Sequence, residues 1–180
     1  DVENAWGLDA TSYGNHEFDY GVERLLQHQE RANFPFLGAN IVDANTMRNP
    51  PWVKGTHIFR FANRRIGVIG IELQDTPELV SAGATEGLVF LDEAETIIKE
   101  SAKLRRQGVQ IQVVLIHQGT SEGQNAFGSN PAEPWTGPIV TIAEQLQDTE
   151  VDVIVAGHTH RVSNLMVGRI LVAEGINAGA

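Results

Sequence analysis

Short apolar runs alternate with helix-like segments along the chain. Four mainly aliphatic runs lie at positions 36–40, 66–71, 111–116 and 151–156. Each run has the length of a typical strand and is bounded by glycine or polar residues, which is the pattern of buried strands. Because helix-like segments lie between the runs, the sequence predicts an α/β fold.

The clearest helix is predicted between the second and third of these runs. Asp92 is placed to cap its first turn, with the carboxylate of Glu95 at the third helical position. Gly108 is placed to terminate it. Its apolar positions recur at helical spacing and are Ala94, Ile97, Ile98 and Leu104. We therefore expect this helix to pack on the sheet.

Local signals predict two further helices, a loop and a hairpin. Residues 21–33 and 138–147 are helix candidates, and the second begins with proline near its first turn. Residues 120–137 are rich in Gly, Ser, Asn and Pro without periodicity, which predicts a long surface loop. Residues 162–167 and 169–173 are separated by a glycine and are expected to pair as a hairpin.

Composition narrows the range of functions. The 180 residues carry 13 basic and 23 acidic side chains, a formal charge of −10, which disfavours broad attraction to nucleic acid polymers or a membrane surface. A small-molecule substrate fits this charge better than a nucleic acid polymer or a membrane does. The chain has no cysteine, so any metal must be bound by His, Asn, Asp or Glu. No apolar run is long enough to span a membrane, and residues 1–4 show none of the features of a signal peptide.

Three polar clusters each follow a strand-like segment. They lie at residues 14–19 (GNHEFD), 115–119 (LIHQG) and 156–160 (AGHTH). Residues just past the carboxyl ends of parallel strands share one edge of the sheet, so these clusters are expected to converge there. Imidazole and carboxamide ligands suit zinc, manganese or iron, and the lack of cysteine favours a catalytic over a structural site.

Each cluster alone also has a structural explanation. A histidine at the end of a buried strand, as His117 is, is more often a hydrogen-bonded structural residue than a metal ligand. His158 and His160 lie in a glycine-containing turn, so a solvated surface turn and a metal site both remain open. Asn15 follows glycine, a context typical of turn residues. The order and combination of the clusters decide between these alternatives.

Taken together, the clusters resemble the calcineurin-like metallophosphoesterases, and within them the branch of 5'-nucleotidases and 2',3'-cyclic-nucleotide phosphodiesterases. The resemblance runs through residues 14–21 (GNHEFDYG), His117 and residues 157–160 (GHTH). It extends to residues 7–10 (GLDA) and 34–40 (FPFLGAN), so it covers nearly the whole chain. It implies a layered αββα sandwich.

The resemblance implies a role for each motif residue. Asn15, His117 and His158 would bind one metal, and His160 would bind the other. His16 would not be a ligand; it would contact the phosphoryl group or protonate the leaving oxygen. Asp19 would orient that imidazole, since a carboxylate hydrogen-bonded to one ring nitrogen favours the protonated form. Glu17 has no assigned role.

The implied activity is hydrolysis of a nucleotide 5'-phosphate or a cyclic nucleotide. Two divalent ions of the zinc, manganese or iron type would clamp the phosphate and acidify the attacking water, and no covalent enzyme intermediate is needed. The resemblance also implies that the intact protein is exported to the periplasm or cell surface.

The sequence departs from the family pattern at two points. The family opens with Asp-x-His on its first strand, followed by a Gly-Asp motif whose Asp bridges both metals, and this sequence contains neither. We therefore expect residues 1–180 to be a catalytic domain truncated at both ends and lacking its first strands. Such a chain would hold one metal or none and have weak activity or none. Exposure of a sheet edge would also favour dimerisation.

Two other functions remain open. A degenerate member of the family could keep Asn15 and its three histidines as a non-catalytic metal-binding or interaction module. A sulfur-ester hydrolase of the same fold ranks third, because that branch departs from the Asn-His-Glu pattern at residues 15–17.

Overall fold

A mixed six-stranded sheet lies at the centre of the protein. The computed structural model describes residues 2–121 and 135–176. The strands are β1 Thr11–Ser12, β2 Phe36–Leu37, β3 Ile41–Asp43, β4 Thr56–Phe61, β5 Arg64–Ile71, β6 Leu88–Phe90, β7 Ile111–Ile116, β8 Val151–Ala156, β9 Ser163–Val167 and β10 Ile170–Glu174. The helices are α1 Val2–Trp6, α2 Gly21–Gln29, α3 Thr76–Leu79, α4 Glu93–Arg106 and α5 Pro138–Gln145, with a 3₁₀ turn over Asn15–Phe18.

The central sheet has the strand order β4-β5-β7-β8-β10-β9. Its four inner strands are parallel, and the two edge strands are antiparallel to their neighbours. The predicted runs 111–116 and 151–156 coincide with β7 and β8, and the predicted hairpin forms from β9 and β10. The parallel strands therefore end along one edge, as the α/β pattern predicts.

One hydrophobic core joins the central sheet to α4 and α5. Ile97 and Leu104 of α4, and Ile139 of α5, are buried against sheet residues such as Ile69 and Ile154. The predicted cap is confirmed, since the Asp92 carboxylate accepts a hydrogen bond from the Glu95 backbone N–H at 2.8 Å. These two helices form the outer layer on that side of the sheet.

The predicted end of α4 is also confirmed. Gly108 has a φ of 73°, and the next residue, Val109, donates its backbone N–H to the carbonyl of Leu104 at 3.1 Å. The Gly108 N–H donates to the carbonyl of Arg105 at 2.9 Å. This is the Schellman arrangement that closes helices at a left-handed glycine.

A second core lies among the short strands and α2. Tyr13, Phe18, Leu25, Ile41 and Phe90 are buried together there. The parallel pair β1–β2 contacts β5 of the central sheet, so this group forms a further layer against it. The α/β class predicted from the sequence is confirmed as a layered mixed-sheet fold.

Several boundaries differ from those predicted. The helix expected over 21–33 ends at Gln29. The backbone N–H groups of Arg31 and Ala32 bond to carbonyls three residues back, and not four, so the chain leaves the α-helix before Pro35. The helix expected over 138–147 ends at Gln145, and the run 36–40 contributes only Phe36–Leu37 as strand. The loop predicted over 120–137 lies largely outside the described residues.

In residues 2–121 and 135–176, no helix is long and apolar enough to cross a membrane.

The strand β8 offers a direct test of this packing. Ile154 is fully buried, whereas its neighbour Val155 is 45% exposed. We expect Ile154→Ala to lower the free energy of unfolding by about 2–5 kcal/mol, because it removes packed methyl groups and leaves a cavity. Val155→Ala on the same strand is the control and should cost less than about 1 kcal/mol. Urea denaturation of both variants checks this, and equal losses would contradict the assignment of faces.

Candidate metal centre

Three predicted site residues meet at the carboxyl edge of the sheet. Asn15 lies on the 3₁₀ turn after β1, His117 directly follows β7, and His158 follows β8. The Nε2 atom of His117 lies 2.8 Å from Oδ1 of Asn15 and 3.2 Å from Nδ1 of His158. The two imidazole rings stand edge to face with centroids 4.9 Å apart. The fold thus brings together side chains from three separate loops.

The turn that carries Asn15 is closed by its own residues. The backbone N–H of Gly14 donates to Oε2 of Glu17 at 2.6 Å, and the Glu17 N–H donates to the Gly14 carbonyl at 3.1 Å. A Cβ atom at position 14 would lie only 2.8 Å from the His117 ring, so glycine allows that close approach. Glu17, to which the sequence assigned no role, fixes the turn beneath Asn15.

The loop after β8 has an unusual backbone. His158 and His160 both have positive φ angles, 73° and 56°. Left-handed conformations are unfavourable for residues with a Cβ atom and persist only where the surroundings hold them. Part of that support is the Gly157 N–H, which donates to the Gln118 carbonyl at 3.3 Å. His158 is half-buried beside His117, whereas His160 is exposed at the outer end of the loop.

Burial keeps the two inner imidazoles neutral. Desolvation, together with the neighbouring His158, His16 and His160, lowers the pKa of His117 to about 4. Burial, with the charge of His160, also lowers the pKa of His158. At neutral pH both rings therefore carry a free lone pair, which is the form that binds a metal ion.

His16 and Asp19 form a separate pair on the same turn. Nδ1 of His16 lies 2.8 Å from Oδ2 of Asp19, and both side chains are largely exposed, at 73% and 42%. A charge on His16 would lower the pKa of both His117 and His158, so His16 lies near the same site. The predicted contact between the two residues is therefore present in the structure.

The donor atoms suit a divalent ion but do not complete its shell. Neighbouring ligand atoms on a metal bound at about 2.0–2.1 Å lie roughly 3 Å apart, and the distances around His117 Nε2 match that spacing. Within the part of the chain that the structure describes, no three His, Cys, Asp or Glu side chains are placed to hold a metal. Two imidazoles and one carboxamide fit a metal, and carboxylate ligands are lacking from this set.

One residue at this edge was missed by sequence reasoning. Glu174 ends β10 and is only 3% exposed, and its carboxylate accepts hydrogen bonds from both ligand-bearing loops after β7 and β8. Its position at the carboxyl end of a parallel strand was the available signal. In sequence it directly follows the predicted hairpin, which ends at residue 173, and a glutamate in such a position usually faces solvent.

Comparisons with known proteins agree with this geometry. A family model described as calcineurin-like phosphoesterase matches residues 7–162. A 5'-nucleotidase of Vibrio cholerae is 35% identical over 85% of this chain and 26% of its own length. A cell wall protein of Listeria monocytogenes is 31% identical over 96% of this chain and 24% of its own length.

A solved structure shares the fold. It is a 5'-nucleotidase precursor from Thermus thermophilus, which superimposes with a TM-score of 0.75 at 24% identity over 96% of this chain and 34% of that one. The chain thus spans about a quarter of the length of the curated relatives it matches.

The depressed histidine pKa predicts a pH-dependent stability. Unfolded histidine titrates near 6.5, so between that value and about 4 the unfolded chain binds more protons than the folded one. Stability of the metal-free protein should fall as the pH drops from 6.5 to 4, with His117 contributing on the order of 2–3 kcal/mol. Urea denaturation across this range should show a flatter profile for His117→Gln.

The matched control is His28→Gln, which removes an exposed histidine of α2. The dependence of stability on pH in this variant should match that of the unaltered protein. Equal flattening in both variants would show that His117 titrates normally in the fold.

Proposed function

This chain belongs to the calcineurin-like phosphoesterase family, and on that basis we propose that it supplies one half of a dinuclear metal site that hydrolyses phosphate esters of nucleotides. The observation that carries the proposal is the convergence of Asn15 Oδ1 and His158 Nδ1 on Nε2 of His117. These atoms come from three loops and have the spacing of ligands around one ion.

Each proposed ligand has a defined place. Asn15, His117 and His158 would hold one ion, and His160 would contribute to a second. Divalent ions of the zinc, manganese or iron type would supply electrostatic stabilisation of the phosphate and acidify the attacking water. The neutral state of His117 and His158 keeps their lone pairs available for this role.

His16 is proposed to act on the substrate. Its Nδ1 is hydrogen-bonded to Asp19 at 2.8 Å, which fixes the ring orientation, and in the protonated ring Nε2 then carries the proton that can be transferred. The protonated ring can contact a phosphoryl oxygen and donate its proton to the leaving alkoxide. The exposure of His16 fits a residue that meets a ligand and does not pack in the core.

The relatives support a proposed substrate class and location. The name of the Vibrio cholerae relative makes a nucleotide 5'-phosphate the first substrate to test, with a cyclic nucleotide as the second. Among the relatives is a cell wall protein, which supports export of the intact protein. The Asp-x-His and Gly-Asp ligands would come from outside these 180 residues.

A non-catalytic module is the second candidate. It is favoured by one observation: in the described ranges no three His, Cys, Asp or Glu side chains form a metal group. Such a protein would keep the ligands Asn15, His117 and His158 for binding alone. An encoded Asp-x-His and Gly-Asp preceding this segment in the gene would exclude it.

Metal content tests the proposal on the chain itself. After loading with Mn²⁺ or Zn²⁺, plasma mass spectrometry should find about one ion per chain, since one ligand cluster is present, and p-nitrophenyl phosphate should not be hydrolysed. His117→Gln should lose the ion, whereas His28→Gln should retain it. Two ions with turnover would show that a partner chain supplies the missing ligands; retention of the ion by His117→Gln would refute the proposed site.

The roles of ligand and proton donor are separable in the intact enzyme. His16→Gln should lower kcat by about 10²–10⁴-fold, because general acid catalysis is lost, while the metal content stays unchanged. Asp19→Asn should lower kcat in the same direction by a smaller factor, since the ring remains present. Loss of metal in His16→Gln would instead identify His16 as a ligand.

A further inference from the structure

Glu174 is a buried carboxylate with four hydrogen-bond donors around it. Its Oε2 accepts from the backbone N–H of Thr120 at 3.1 Å and from the Thr120 hydroxyl at 3.2 Å. Its Oε1 accepts from the Thr159 hydroxyl at 2.5 Å and from the Arg161 N–H at 3.4 Å. With only 3% of the residue exposed, these bonds replace the water that a carboxylate would otherwise bind.

These donors belong to two different loops. Thr120 lies three residues after His117 in the loop that follows β7. Thr159 lies between His158 and His160 in the loop that follows β8, and Arg161 comes directly after His160. One carboxylate therefore ties the two loops that carry three of the four proposed metal ligands.

The two loops meet without spare space. A Cβ atom at Gly119 would lie 2.3 Å from the Thr159 hydroxyl, 2.5 Å from the Gly157 carbonyl and 2.6 Å from Oε1 of Glu174. Glycine at position 119 thus lets Glu174 reach Thr159. This contact adjoins the two left-handed residues His158 and His160, whose backbone needs support from outside the loop.

We propose that Glu174 is a positioning residue that fixes the His158–His160 loop and thereby aims both imidazoles for metal binding. This inference rests on the proposed metal-binding function of the same loop. Glu174 acts through its hydrogen bonds to Thr159 and Arg161, and its anchoring at Thr120 relates the loop to His117. Partners that orient metal ligands in this way strongly affect metal affinity.

The pattern of donors explains why a glutamine would not replace this glutamate. Each carboxylate oxygen accepts one backbone N–H, from Thr120 at Oε2 and from Arg161 at Oε1. A backbone N–H cannot become an acceptor, so whichever way a glutamine amide is turned, its NH₂ group faces one of these donors. Glu174→Gln should therefore release one loop while preserving the size of the side chain.

The first test needs no metal. We would measure ¹⁵N relaxation of the amides of residues 157–161 in the unaltered chain, Glu174→Gln and Glu93→Gln. Glu93 is the matched control: it is buried, accepts one backbone N–H from Gln74 at 3.1 Å, and lies outside the site. Order parameters in the loop should fall from about 0.85 to below about 0.6 in Glu174→Gln alone. Unchanged order would overturn the proposal.

The second test measures Mn²⁺ and Zn²⁺ affinity by calorimetry. Glu174→Gln should weaken binding about 10–100-fold, whereas Glu93→Gln should not, which separates positioning from a general loss of stability. Thr159→Val removes the hydroxyl that donates to Glu174 and should also weaken metal binding. Thr159→Ser keeps that hydroxyl and should bind the metal as tightly as the unaltered chain does. This pair serves the test if Glu174→Gln fails to fold.

The outcomes distinguish the two proposals. If the unaltered chain binds neither Mn²⁺ nor Zn²⁺, the proposed metal function fails, and the relaxation measurement still decides the role of Glu174. If the unaltered chain binds metal and neither Glu174→Gln nor Thr159→Val weakens it, Glu174 does not position the ligands.

Discussion

Parallel pairing of β7, β8 and β10 places the carboxyl ends of these strands side by side, and the site is built on that alignment. His117 follows the first strand, His158 lies just beyond the second and Glu174 ends the third. The core beneath, formed with α4 and α5, fixes the strands to one another and so fixes the spacing of the side chains they carry. The 3₁₀ turn with Asn15 reaches this edge from the smaller layer, so the site joins two separately packed cores.

The buried polar groups at this edge differ in how many hydrogen-bond donors surround them. Burial removes the charge from His117 and leaves a lone pair, whereas Glu174 has enough donors around it to satisfy a carboxylate. Glu72 shows the contrasting case at the end of β5. It is fully buried, one oxygen accepts from the Thr76 hydroxyl and the other has no geometrically sound partner among the described residues, so burial raises its pKa well above the usual value. Donor supply, and not burial alone, decides whether a buried carboxylate has its hydrogen-bonding capacity filled.

Much of this arrangement could be predicted from sequence because it depends on local patterns. The strands β7 and β8 are mainly aliphatic runs, α4 has both of its end signals, and the strand-end rule predicts that the clusters with Asn15, His117 and His158 lie close together, as they do. The edge strand β4 was missed, because apolar and polar residues do not alternate clearly over residues 56–61 (THIFRF). This segment is extended because it pairs with β5. Glu174 was missed for a related reason: its environment depends on Thr120, which is 54 positions away in the chain.

The contact between Asn15 and His117 joins residues 102 positions apart in the chain, and the bond between Thr120 and Glu174 joins residues 54 positions apart. Closing such long loops is slow because chain entropy is lost before the distant contacts form. During synthesis, the bond between Thr120 and Glu174 therefore cannot form until β10 has emerged and paired with β8. Until then Glu174 does not connect the loops that follow β7 and β8, so the relative placement of His117 and His158 is completed late in folding.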